Sequence, residues 1–241
     1  MHSEPSVFRI NQEGYAAILP VIVAVLGNGP VTLKNAVGEI VRSAAFDAPK
    51  TDPASGDAVT LVDLGVLETG TYELESGDFR RRLTVRPTPW STVTHALVKG
   101  LYYQRCGCGL LPEHAGVYAH PPCHTAPARE WEDQSVSRRI TGGWHDAGDY
   151  GKYVAPGAVT VAHLLYAWKL FPQGCGDDLS IPETGNGVPD ILNEARFELE
   201  WILQMQRSDG AFHHKLTKSH FAAFIMPQDD LEQEYLLPVC M

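Results

Sequence analysis

The stretch GGWHDAGDYGKY, from Gly142 to Tyr153, concentrates side chains that can do chemistry. Asp146 and Asp149 stand three apart, so on one helical turn both carboxylates would point the same way, with only Ala147 and Gly148 between them. Paired carboxylates beside Trp144, Tyr150 and Tyr153 suit sugar chemistry, in which one carboxylate activates water and aromatic faces stack on pyranose rings. The same pair also suits a loop whose aspartates cap a helix or hold a cation.

Cys106, Cys123, His124 and His145 form a second constellation, two thiols and two imidazoles of the kind that hold tetrahedral Zn²⁺. Their spacing is not that of a common zinc finger, and Cys106 with Cys123 equally reads as a disulfide or as two buried thiols. Position favours a metal: His145 adjoins Asp146, so an ion there would anchor the loop that carries the carboxylates. Asp190 and Glu194 read as dipole partners on a solvated helix face, with help in binding Ca²⁺ as the alternative. Cys108, Cys175 and Cys240 read as core or surface thiols. His213-His214-Lys215 resembles a strand edge, and Gln228 to Glu232 a solvated acidic loop. There is no GxSxG elbow, phosphate-cradling glycine loop or dinucleotide fingerprint.

The elements that must position these residues fall into two zones. From Val7 to about Arg86, short β-prone runs alternate with Gly, Pro, Asn and Asp, which predicts strands over Val21 to Leu26, Val37 to Val41, Val59 to Val62, Thr71 to Glu75 and Phe79 to Val85. Ser76-Gly77-Asp78 reverses the chain between the last two, and the set predicts a small antiparallel sandwich. Arg86-Pro87-Thr88-Pro89 reads as a stiff linker. Beyond it the period changes from about two to about 3.6 residues, predicting domains over residues 1–88 and 89–241. Helices are predicted over Val93 to Tyr103 and Ala158 to Leu170, the latter with Val161, Leu164, Leu165 and Trp168 as its apolar stripe. A third begins at Pro189-Asp190 and runs through Ile191, Leu192, Ala195, Leu199, Ile202 and Met205 to Ser208-Asp209-Gly210.

Composition narrows the field. Hydrophobic residues make up 44% and charged residues 20%, as in a globular protein. A formal net charge of -10 argues against a nucleic-acid partner, whose phosphates need clustered Lys and Arg. The most apolar stretch, Ala16 to Leu26, contains Pro20 and falls short of the ~20 residues that span a bilayer, so no membrane partner is expected. The opening MHSEPSVFRINQ carries no secretory pattern, which leaves either a cytoplasmic protein or one whose leader has been removed. An odd number of cysteines, 5, argues against a complete disulfide framework.

Taken together, GGWHDAGDYGKYV, YYQRCG, HPPCHT, GNGVPDILNEARFELEWILQMQ and FIMPQDD resemble family 9 glycoside hydrolases. The opening FRINQEGY is similar to the start of the immunoglobulin-like domain of one branch. The resemblance implies a multidomain protein, an all-β immunoglobulin-like sandwich followed by the first part of an all-α (α/α)6 toroid. It implies an endo-β-1,4-glucanase that hydrolyses β-1,4-glucan with inversion, Asp149 serving as general base and Asp146 helping to hold the water. In that branch the two cysteines and two histidines hold structural zinc, which maps onto Cys106, Cys123, His124 and His145. The partner expected is a β-glucan polysaccharide or oligosaccharide. Alternatives are a family 9 enzyme for another β-linked substrate, such as glucosamine oligosaccharides or mixed-linkage glucan, and a non-catalytic carbohydrate-binding scaffold. The family's proton donor is a glutamate late in the catalytic domain, and this sequence stops at Met241, so a truncated chain that is inactive alone is expected.

Overall fold

The computed structural model describes residues 7–26, 29–45, 48–221 and 223–238. The chain divides into two compact units, Met1–Thr92 and Val93–Met241.

The first unit is a two-sheet sandwich. One sheet orders β1 (Phe8–Arg9), β3 (Pro20–Leu26), β7 (Ala58–Val66) and β6 (Lys50–Thr51) as β1-β3-β7-β6. The other orders β2 (Tyr15–Ala16), β9 (Phe79–Arg86), β8 (Gly70–Ser76), β4 (Val31–Lys34) and β5 (Ile40–Ala44) as β2-β9-β8-β4-β5. Period-two alternation drives the packing: Val21, Val23 and Val25 are buried while Ile22 between them is exposed. Those valines share one core with Val62 and Leu64 and, from the opposite sheet, Val31, Leu33, Leu74, Leu83 and Val85. The β8–β9 hairpin turns at Gly77-Asp78, with Gly77 at φ 57 and Ser76 paired to Phe79.

Local polar chemistry displaced one predicted strand. Val37 sits in a turn because Asn35 Oδ1 accepts from the amides of Val37 and Glu39, at 3.1 and 2.9 Å, so β5 begins only at Ile40. The four-residue β4, VTLK, lies between β5 and β8 and is too short to announce itself by alternation.

The second unit carries the helices α1 (Ser91–Tyr103), α2 (Pro112–Ala115), α3 (Val154–Leu170) and α4 (Asp190–Gln204). Helix α3 starts four residues before its expected position, and of its predicted stripe Val161 and Leu164 are buried whereas Leu165 and Trp168 stay partly exposed. Pro189 precedes the first turn of α4 as its cap residue and does not lie within it. The unit also contains a sheet that periodicity did not reveal, in the order β11-β10-β14-β13-β12. Its strands are β10 (Ala128–Glu130), β11 (Ser137–Arg138), β12 (Lys152–Tyr153), β13 (Lys215–Thr217) and β14 (Tyr235–Leu237), each two or three residues long. Among the described residues no helix is long and apolar enough to cross a membrane.

Candidate metal centre and acidic loop

Besides Asp190 and Asn193 near its start, α4 buries Ile191, Glu194, Ala195, Glu198, Trp201 and Ile202, with Met205 buried just beyond its end, so the carboxylates of Glu194 and Glu198 sit inside an apolar stripe. Burying a charge costs several kcal/mol unless partners take it up, on the order of 3–5 kcal/mol when one partner is removed. The partners are two segments that meet above the helix. Arg105 and Trp144 form an antiparallel bridge, with the Cys106 amide donating to Gly143 O and the His145 amide to Gln104 O, both at 2.8 Å. Glu194 accepts from Arg105 Nη2 at 2.9 Å and from Trp144 Nε1 at 2.8 Å. Glu198 Oε2 accepts the Trp144 amide at 2.7 Å. Burial pushes the Glu198 carboxyl up to about 7, although the Trp144 amide opposes the shift.

That bridge sets Cys106 beside His145. The donor atoms of Cys106, Cys123, His124 and His145 all lie within 4.8 Å of one another, and all four residues are buried. Their sulfurs and imidazoles are the ligand types that suit a tetrahedral ion. His124 adopts φ 50, its Nε2 lies 3.2 Å from Asp230 Oδ2, and its Nδ1 has no hydrogen-bond partner among the described residues. A buried ring nitrogen without a partner is costly, and a metal ion at Nδ1 would satisfy it. The Cys123 thiol is pushed down to about 7, chiefly by a hydrogen bond from Cys106, which favours the thiolate a metal requires. Lys152, fully buried, donates to Cys106 Sγ at 3.2 Å and to Gly142 O at 3.0 Å. Burial alone would lower the Lys152 pKa, but the charges of Cys106 and Glu234 more than offset it. The donor set therefore fits a metal ion.

Asp146 and Asp149 follow directly, in a loop and not on a helical turn as their spacing suggested. The Asp146 amide donates to Gly151 O at 2.9 Å and the Tyr150 amide to Ala147 O at 3.0 Å, closing a tight turn with Tyr150 at φ 58. Asp146 lines a cavity of about 220 Å³ together with Gln104, Trp144, Tyr153 and Glu198. Asp149 is not among the residues that line it, but its charge reaches Tyr153, whose phenol is pushed up first by burial and then by the charges of Asp149 and Asp146. The Tyr150 ring packs against His124 and His145, with centroids 5.5 and 5.0 Å away.

Other expectations need correction. Asp190 and Glu194 are fully buried and not on a solvated face. Asp190 accepts from the Leu179 amide at 2.8 Å and from Thr184 Oγ1, so both carboxylates are engaged by protein donors. Asp230 is buried too, although its neighbours Asp229, Leu231 and Glu232 are exposed as an acidic loop should be. Cys106 and Cys123 are free thiols, as are Cys108 and Cys175, the latter two partly buried; Cys240 lies outside the described residues. The residues missed from sequence are Glu198, Lys152, Lys218 and Asp230. A carboxylate repeating at the helical period among apolar residues was a usable signal for Glu198, whereas Asp230 lies 106 residues from His124 and carried none.

Comparisons with known proteins place the chain in a family. The chain is 37% identical over 194 residues to a cellodextrinase of Butyrivibrio fibrisolvens, covering 78% of this chain and 36% of that protein. It superposes with a TM-score of 0.86 and 30% identity on a single mutant of a thermostable endoglucanase from Alicyclobacillus acidocaldarius, covering 98% of this chain and 44% of that one. A Zn-binding triple mutant of a family 9 endoglucanase superposes with a TM-score of 0.79 at 29% identity, over 90% of this chain and 44% of its own. The chain thus spans well under half the length of these relatives. The shared architecture is an immunoglobulin-like sandwich followed by the first part of an (α/α)6 toroid. The model for glycosyl hydrolase family 9 matches residues 90–238, a span that holds the donor cluster, the acidic loop and the helix beneath them, and the chain belongs to that family.

Proposed function

We propose that the chain carries the base side of an endo-β-1,4-glucanase acting with inversion on β-1,4-glucan. Asp149 takes the proton of the attacking water, and Asp146 helps to hold that water. The observation that supports this most is the acidic loop itself: it leaves a buried Cys₂His₂ donor set through His145 and brings Asp146 to an open cavity. The Tyr153 phenol lines the same cavity and feels the charge of Asp149, which supports a role beside that carboxylate in orienting the water. Cys106, Cys123, His124 and His145 would hold Zn²⁺, and with every position taken by protein its contribution is structural, anchoring the loop. Inversion also needs a proton donor roughly 6.5 to 9.5 Å from the base, expected from the relatives' remaining length.

In the full-length protein, Asp149→Ala should lower the release of reducing ends from a soluble β-1,4-glucan by roughly 10²- to 10⁴-fold. NMR of the first products should show the α-anomer. Undiminished turnover by the variant, or β-anomeric products, would defeat the assignment. The likeness to a cellodextrinase supports a second reading, in which short cello-oligosaccharides are the preferred substrate. Rapid loss of viscosity with few new reducing ends supports endo action on polymer; hydrolysis confined to short oligosaccharides supports the other.

A further inference from the structure

The segment between Lys218 and Asp230 presents exposed apolar side chains beside the acidic loop, with Phe221 82% and Phe224 104% exposed. Side chains of this kind would ordinarily leave such a segment free to move. Two contacts tie it to the donor cluster. At its stem Lys218 Nζ meets Asp230 Oδ2, both side chains buried, and that same Oδ2 lies 3.2 Å from His124 Nε2. Further along, the Tyr150 hydroxyl donates to Ile225 O, and the Tyr150 ring rests on His124 and His145.

We propose that Asp230 is a positioning residue that couples metal binding to the order of the chain at Phe221 and from Phe224 to Asp229. By accepting from His124 Nε2 it turns the unpartnered Nδ1 toward the other three donors, and by accepting from Lys218 it closes the stem of the segment. One ion therefore organises two loops, the one bearing Asp146 and Asp149 and the apolar one next to it. The coupling is reciprocal: whatever loosens the segment weakens metal binding, and removing the metal loosens the segment. This inference rests on the metal reading of the Cys₂His₂ cluster.

The experiment uses the full-length, zinc-loaded protein. Competition with a chromophoric chelator measures zinc affinity, and brief chymotrypsin treatment with mass spectrometry measures cleavage after Phe221 and Phe224. In the wild type, stripping zinc should accelerate both cleavages. Asp230→Ala should weaken zinc binding roughly 10- to 100-fold, the usual effect of losing the group that orients a ligand imidazole. It should also be cleaved quickly even with zinc bound. Asp230→Asn, which keeps an acceptor oxygen, should recover most of the affinity, which a merely destabilised fold would not. Wild-type affinity in Asp230→Ala, or cleavage indifferent to zinc, overturns the proposal. If Asp230→Ala does not fold, Lys218→Met opens the stem while His124 keeps its acceptor; cleavage must then rise and zinc affinity must fall with it, and any other result refutes the coupling. A wild-type protein that takes up no zinc shows instead that the metal reading itself is wrong, and it shows this before any variant is made.

Discussion

Glu198 is 1% exposed, and its carboxyl is pushed from an ordinary 4.5 up to about 7 by burial. Because its folded value is raised, the contribution of the protonated form is fully present below pH 4.5 and is lost as pH rises through about 7. The loss amounts to about 3 kcal/mol at neutral pH. Glu198→Gln keeps an acceptor for the Trp144 amide and removes the titration, so its melting temperature should fall less than the wild type's between those two pH values. Parallel melting profiles for the two proteins would refute this role for Glu198. Residue types alone exposed much of the site: the two aspartates lie in one short stretch, and two thiols with two imidazoles form a chemically legible set. Which partners orient them was not legible, because Asp230, Lys218 and Glu198 reach the site only through tertiary packing.

Among the elements, α4 decides where the site lies, since Glu194 and Glu198 hold the bridge that joins Cys106 to His145. That bridge runs close to the helix. Gly143 has φ 76, and a Cβ there would stand 2.6 Å from Cγ and Cδ2 of the buried Trp201 ring. Gly143→Ala combines a left-handed backbone with overpacking and should cost about 2–5 kcal/mol in chemical denaturation. Gly148, on the exposed turn between the aspartates, meets nothing within 4 Å. Gly148→Ala should therefore change stability by no more than about 0.5 kcal/mol. Equal effects of the two substitutions would mean that the loop is not seated on Trp201. The extents of α3 and α4 were largely legible because their apolar residues repeat over four turns or more. The sheet β11-β10-β14-β13-β12 was not, because runs of two or three residues are too short to display a period of two.

At the scale of the whole molecule, the two units hold separate sets of buried side chains. The sandwich core draws on Phe8 through Val85, whereas the clusters of the second unit run from Val98 to Leu236. All four residues of the Cys₂His₂ cluster, both aspartates and α4 belong to the second unit. The division was visible in sequence as a change of period across a proline-rich stretch, because periodicity reports which faces each stretch must bury. A cavity in the sandwich core should accordingly weaken the sandwich without disturbing the donor set. Leu74 is fully buried at the centre of β8, with Leu33 of β4 beside it. Leu74→Ala removes contacts that surrounding side chains only partly replace, so the unfolding free energy of the sandwich should drop by about 2–5 kcal/mol. Zinc affinity, measured by chelator competition on the same preparation, should not move, because Cys106, Cys123, His124 and His145 all belong to the second unit. A parallel loss of zinc affinity would show that the donor set depends on the sandwich for its geometry, and that the acidic loop is not organised by α4 and the metal alone.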